Sequence, residues 1–203
     1  MALFGKARPR PIADFDMGLD PGWQGVDAGS QDWPASVAGA LGLTAAQREP
    51  LEYQLGVIQS RVAELDELGS QSLVWIPETA PDHVRCTLTM AIRPRHDAGP
   101  ESYAAVLAAE EADGTIEQSY DVVRSWTAEV DAGPMACAYY LITYAPGGEE
   151  VPHSEARAVY RVFPPQSSED FEIVFSTQDL ADFADFVEVT TNYLTTLTVV
   201  LGK

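Results

Sequence analysis

The chain has 203 residues, 46% of them hydrophobic, enough to bury one sizeable core and to exclude disorder as its overall state. Its 31 acids against 12 Lys and Arg leave a formal net charge of -19, a field that repels phosphate backbones and anionic lipid over a Debye length of about 8–10 Å. Nucleic acid and membrane are thereby excluded as expected partners; solubility by itself accounts for such acidity, and a basic protein is the partner it favours.

Residues 1–11 carry Lys6, Arg8 and Arg10, and their apolar Ala2-Leu3-Phe4 is broken at once by Gly5. They read as a flexible basic tail, not a signal peptide, ahead of a single domain over 12–203. No apolar run approaches the roughly 18 residues of a membrane span. The two cysteines, Cys86 and Cys137, form no CxxC, so free thiols in a reducing cytoplasm are the expectation.

Ile12 to Met17 alternates apolar and polar and predicts a first strand, stopped by Gly18 and the Pro21-Gly22 turn before Trp23. Asp27 to Asp32 reads as loop. A short helix is expected from Pro34 to about Leu41, and Thr44 offers an N-cap for a second start. Pro50 then fits the first turn of a helix whose stripe is Leu51, Leu55, Ile58, Val62 and Leu65, ended by Gly69. A coiled-coil seam needs more sustained heptads, so this helix is read as core-facing.

Ser72 to Ile76 predicts a strand ended by Pro77. From Val84 to Ile92 strict alternation puts Val84, Cys86, Leu88, Met90 and Ile92 on one packed face, with the polar residues opposite. A helix follows from Glu101 to Ala112 with Tyr103, Val106 and Leu107 as its apolar face. Four strands come next, Ile116 to Trp126, Met135 to Tyr144, Ala156 to Phe163 and Phe171 to Phe175, separated by turns at Ala132-Gly133-Pro134, Pro146-Gly147-Gly148 and Pro164-Pro165. The closing helix is expected from Ser176 or Thr177, with Ser176 and Asp179 at capping-box spacing and Asp179, Asp182 and Asp185 suiting its N-terminal dipole. Its stripe is Leu180, Phe183, Val187, Thr190, Leu194 and Leu197. The β-branched run from Thr190 to Leu201 admits a strand instead; helix is the expectation. The order implies an α+β fold, a mostly antiparallel sheet of about six to seven strands with helices packed on it.

The residues show no catalytic constellation. His83, His96 and His153 are scattered, and His83 and Cys86, three apart on the expected strand, point to opposite faces, so no metal site and no cofactor is expected. No G-x-S-x-G occurs, and Ser30 after Gly29 lacks the second glycine. Cys86 and Cys137 fall on packed strands, where a thiol is inert filling, which disfavours a Cys-His pair. Glu110-Glu111 and Glu149-Glu150 read as solvated ends and loops, and acids beside Gly147-Gly148 repel a phosphate. Trp23-Gln24-Gly25 spells WxG, but after a turn rather than between helices. One feature suits binding: Arg85, Thr87, Thr89 and Arg93 share one strand face, where they either pair with local acids or hold an anionic partner segment.

Phe15-Asp16-Met17-Gly18-Leu19-Asp20-Pro21-Gly22-Trp23 resembles the opening of Mog1/PsbP-like proteins. Asp131 to Met135, Tyr139-Tyr140 and Phe175-Ser176-Thr177 are similar in the same way, whereas the long helix between the first two strands departs from that pattern. The resemblance implies an α/β/α sandwich and a non-catalytic protein-interaction or accessory and assembly domain, with no functional residue carried over. Two other readings stay open: a small-molecule binding protein or enzyme with an apolar, helix-grip-like pocket near Tyr120, Trp126, Tyr139, Tyr140 and Tyr160, and a secretion chaperone or toxin-neutralising protein. Another protein, basic by charge, is the expected partner, and an exposed sheet edge makes a homodimer feasible.

Overall fold

The computed structural model describes residues 8–65, 70–95, 99–109, 118–144 and 153–203. Its elements run β1 (Ile12–Asp16), β2 (Trp23–Gly25), α1 (Trp33–Ala40), α2 (Ala45–Leu65), β3 (Ser70–Trp75), β4 (Cys86–Pro94), α3 (Gly99–Ala109), β5 (Gln118–Val130), β6 (Gly133–Tyr144), β7 (His153–Val162), β8 (Glu169–Thr177), α4 (Phe186–Thr195) and β9 (Thr198–Leu201). Seven strands form one sheet in the order β2-β3-β4-β8-β7-β6-β5, every neighbouring pair antiparallel, while β1 and β9 make a separate two-stranded ribbon. Among the described residues no helix is long and apolar enough to cross a membrane.

Strand alternation gives this sheet two faces, and the register says which side chains share each. One face runs Leu73, Leu88, Phe175, Ala158, Tyr139 across five strands. It holds the main core: Phe171, Ile173, Phe175, Tyr160, Met135 and Cys137 are fully buried there beneath Phe186 and Leu194 of α4 and Ile12 of the ribbon. The other face carries Ser72, Thr89, Val174, Val159 and Ala138. Over its β3 end, Leu51 and Leu55 of α2 bury against Val74 and Ile76, each removing about 1.5–3 kcal/mol worth of apolar surface from water. Over its far end, α3 seats Leu107 on Tyr140 and Ile142, and Ala104 on Ala136 and Phe163. Helices on both faces of an antiparallel sheet make the expected α/β/α sandwich.

Two glycines hold turns that no other residue fits. Gly22 has φ +97°, and a Cβ there would lie 2.5 Å from the Ile76 carbonyl oxygen. At Gly133, φ is +139° and a Cβ would meet the Phe163 oxygen at 2.5 Å, so the turn into β6 can press against the chain leaving β7.

Several expectations need correction. Helix α2 begins at Ala45, not at Pro50, because Gln47 reaches back to cap it: the Thr44 N–H and hydroxyl donate to Gln47 Oε1 at 3.2 and 2.7 Å, while the Thr44 carbonyl accepts the Gln47 and Arg48 N–H groups at 3.1 and 3.0 Å. Pro50 lies inside the helix, where its missing N–H leaves one turn unbonded. Val106 is exposed rather than part of the α3 core face, and Ala104 takes its place. Ser176 and Thr177 end β8; the closing helix starts ten residues on, at Phe186, where the Asp185 carboxylate accepts the Glu188 N–H at 2.9 Å. Its expected continuation to Leu201 is the strand β9, which pairs with β1. Trp23-Gln24-Gly25, left without an element in the sequence, is β2. Of the expected tail, residues 1–7 lie outside the described residues, while Arg10 and Pro11 bond to Gln166, Ser168 and Gly202 through their backbones. Gly69, Glu110-Glu111, the far end of α3's expected span, Ile116 and Pro146 to Glu150 also lie outside the described residues.

Candidate functional site

Thr87 and Thr89 stand on the face that α2 and α3 share, in the stretch of sheet between the two helices. Thr87 is opposite Val74 and Ser176, and Thr89 Oγ1 lies 3.3 Å from Ser72 Oγ. Arg85, just ahead of β4, turns its guanidinium onto three carboxylates: Nη2 is 3.2 Å from Asp82, and Nη1 is 3.0 Å from Asp182 and 3.6 Å from Asp179. Arg93 at the far end pairs with Glu172 at 3.5 Å, a carboxylate that also meets Tyr103 Oη at 3.4 Å. Eight residues of strand hold the two arginines roughly 26 Å apart. Only Arg85 and Thr87 of the four line a common cleft, one of about 240 Å³ that they share with Gln54, Ile58 and Arg61 of α2. Each arginine therefore carries a local acidic partner, and Thr89 and Arg93 stand apart from that cleft.

His83 belongs to the same network. Its Nδ1 is 3.0 Å from Asp82 Oδ1 and its Nε2 is 3.6 Å from Asp179 Oδ2. His83, Asp179 and Asp182 present ligand atoms within 4.8 Å of one another, a grouping that the sequence reading missed because Asp179 arrives from the loop after β8. Arg85 already supplies a positive charge to both aspartates. The network ties that loop to the entry of β4, as does Thr177 Oγ1, which donates to the Arg85 carbonyl at 2.6 Å.

Neither thiol has nucleophilic character. Burial pushes the Cys86 thiol up to about 12, against a weaker opposing backbone hydrogen bond from Ser176. Burial likewise raises Cys137 to about 12, against the weaker pull of Arg124. A thiol so far from ionising holds almost no thiolate near neutral pH. Of the aromatic residues considered for a helix-grip pocket, Tyr140 and Tyr160 are buried, Trp126 and Tyr139 pack partly buried against the main core, and the Tyr120 side chain lies outside the described residues. Tyr160 is fully buried with its hydroxyl 2.7 Å from Thr190 Oγ1, and Phe175 stacks on Tyr193 at 5.9 Å and meets Trp23 edge-on at 6.1 Å. These rings fill the space between the sheet and α4.

A larger concavity opens at the other end of that face. A cleft of about 760 Å³ lies between β1, the segment that follows β2, the end of α2 and the start of β3. Its lining sets the apolar Phe15, Met17, Val62, Leu73 and Met90 among Ser70, Gln71 and Ser72, with Gln71 opposite Met90. Three carboxylates, Asp14, Asp16 and Asp27, border it, with Asp14 and Asp16 exposed. The cleft is built firmly on the α2 side, where Gln59 Nε2 donates to the Asp27 and Ser30 carbonyls at 2.6 and 2.7 Å, and Trp33 Nε1 donates to the Gly25 oxygen at 2.9 Å. Gly25 lines it without crowding, since a Cβ there would meet nothing within 4 Å. In the sequence, the Phe15 and Met17 alternation with Asp14 and Asp16 signals a strand with an acidic outer row. Nothing local tells that Leu73 and Met90 complete a cleft beneath it.

No protein-family model matches the chain, and no curated protein sequence matches it. Among solved structures it is similar to the cyanobacterial PsbP protein CyanoP of Synechocystis sp. PCC 6803, at 10% identity and a TM-score of 0.46, over 98% of this chain and 97% of that one. A Bacteroides thetaiotaomicron VPI-5482 protein is similar at 10% identity and a TM-score of 0.45, over 95% of this chain and 48% of its own, so this chain spans about half its length. No functional residue and no activity is taken from either.

Proposed function

We propose that this chain is a non-catalytic binding domain with an accessory or assembly role, and that it receives another protein in the cleft between β1 and the end of α2. The cleft itself carries the reading: about 760 Å³ of open concavity lined by the apolar Leu73, Met90 and Phe15 under a carboxylate border. An apolar centre inside a polar rim is the anatomy of a protein interface. The border charge and the chain's net charge of -19 favour a basic partner and speed its encounter. Both thiols, raised to about 12, speak against cysteine chemistry.

One variant tests the proposal. Gly25→Trp places an indole in the cleft at a position with room for a side chain and an ordinary backbone conformation. Capture from the host lysate by the natural chain at low salt is expected to retain a basic protein that is lost both at high salt and on Gly25→Trp. The same proteins retained by both chains would refute the reading. A small molecule remains the second reading, since the volume lies within the roughly 300–1,000 Å³ of ligand sites. It is the outcome if Gly25→Trp removes a bound metabolite and no protein.

A further inference from the structure

The cleft is bordered by β1 and by no residue of β9. Strand β1 pairs only with β9 in its ribbon; on its other edge the Ile12 N–H is taken by the Glu169 carboxylate at 2.7 Å, and from Asp14 to Met17, the stretch that lines the cleft, no strand lies beside it among the described residues. The Phe15 N–H illustrates this: it is held by the Asp14 carboxylate at 2.9 Å, a side-chain stand-in for a ladder acceptor. Along β1 the side chains alternate, with Asp14 and Asp16 outward and Phe15 and Met17 inward on the core. Leu73, Met90 and the unobstructed Gly25 line the same cleft as β1.

We infer, building on the proposed binding role of this cleft, that its occupant is an extended segment of a partner protein that pairs with the open edge of β1, with apolar residues alternating with Lys or Arg. Strand addition supplies affinity through backbone hydrogen bonds and specificity through alternate side chains. A segment in that position points every second side chain toward Leu73 and Met90, with Gln71 beside them, where an apolar group has the most surface to bury. The intervening side chains point outward beside Asp14 and Asp16, where opposite charges across a strand pair attract and acidic ones repel. The cleft-lining stretch from Asp14 to Met17 spans about 13 Å as extended strand. The Phe15 N–H exchanges its acid cap for a carbonyl of the incoming strand, and the ribbon becomes three-stranded.

The test is a displayed library of random linear peptides, selected on the natural protein and counter-selected in parallel on Gly25→Trp and on the double variant Asp14→Asn, Asp16→Asn. Enriched peptides are expected to alternate apolar residues with Lys or Arg over about four positions. A synthesised enriched peptide should bind the double asparagine variant about two- to thirtyfold more weakly, from two cross-strand pairs of roughly 0.2–1 kcal/mol each. It should also slow hydrogen exchange at the Phe15 amide. Peptides lost on Gly25→Trp that lack alternation, or that leave Phe15 exchange unchanged, overturn strand pairing while the cleft stands as a binding site. Equal enrichment on all three proteins overturns both readings. The exposed aspartates sit outside the core, so the asparagine variant keeps the test decisive even if Gly25→Trp fails to fold by circular dichroism.

Discussion

The buried thiols make the folded state sensitive to alkali in a way that can be worked out from the structure. Cys86 is 2% exposed and Cys137 fully buried, and burial raises both from 9.0 to about 12. Above about pH 9 the unfolded chain loses these protons while the folded chain keeps them, so stability falls as pH rises and is fully present only below the unfolded value. Each pH unit in that window removes about 1.36 kcal/mol per group. At about pH 10.5 the loss is therefore roughly 2 kcal/mol per thiol and roughly 4 kcal/mol for the two. Urea unfolding of the natural chain and of the Cys86→Ala, Cys137→Ala variant, at about pH 7.5 and again at about 10.5, isolates it. The packing lost with the sulfurs is the same at both pH values and cancels. Tyr160 and Tyr193, raised to about 12 chiefly by burial and only secondarily by Cys137 and Cys86, lose nearly the same stability in both chains. The variant should lose roughly 4 kcal/mol less on going alkaline. An equal loss in both chains would refute the argument, as would thiols in the folded protein that react with Ellman's reagent as fast as unfolded ones.

Two further outcomes are expected. Tyr160→Phe removes a hydroxyl held by Thr190 at 2.7 Å and Thr191 at 3.1 Å, yet Thr190 Oγ1 still donates to the Phe186 oxygen at 2.8 Å. With no new buried orphan at Thr190 the loss should be about 1 kcal/mol, read as a lower urea midpoint at unchanged slope; more than about 3 kcal/mol would mean α4 has come off the sheet. Gly133→Ala, with its positive φ and 2.5 Å approach to the Phe163 oxygen, should cost at least about 1–3 kcal/mol. Its counterpart Gly56→Ala, inside α2 with nothing within 4 Å of the new Cβ, should instead stabilise by about 0.5–1 kcal/mol in the same assay.

Elements with one clear period were legible. The alternation from Val84 to Ile92 predicts β4, although the strand starts at Cys86 and Val84 packs with α2 instead, and the doubly apolar run from Cys137 to Ile142 predicts a strand covered on both sides, as β6 is beneath α3 and above α4. Helix α2 was legible by its stripe, but its start was misplaced because a proline preference was weighed above the Thr44 and Gln47 cap. At the end of the chain the competition was harder. Leu180 to Leu197 has a helical stripe, yet Thr177 bonds to the Arg85 carbonyl and Asp179 and Asp182 are drawn to Arg85, and those ties delay the helix to Asp185. Beyond Thr195 the β-branched Thr198-Val199-Val200 takes up pairing with β1, a choice set by a strand nearly the whole chain away.

The polar row shows the same division. Its alternation along β4 was readable, but its ion pairs were not, because apart from Asp82 the acids that face Arg85 and Arg93 come from β8 and the loop after it. By itself the sequence determined the acidity, the burial of the thiols on strand faces and the class of the fold, since these follow from composition and from periods of two and 3.6 residues. Only the tertiary structure decided where the cleft lies. The cleft needs β1, Gly25, the end of α2 and Leu73 together, and concavity is a property of how separate elements meet, for which no local pattern of residues is a sign.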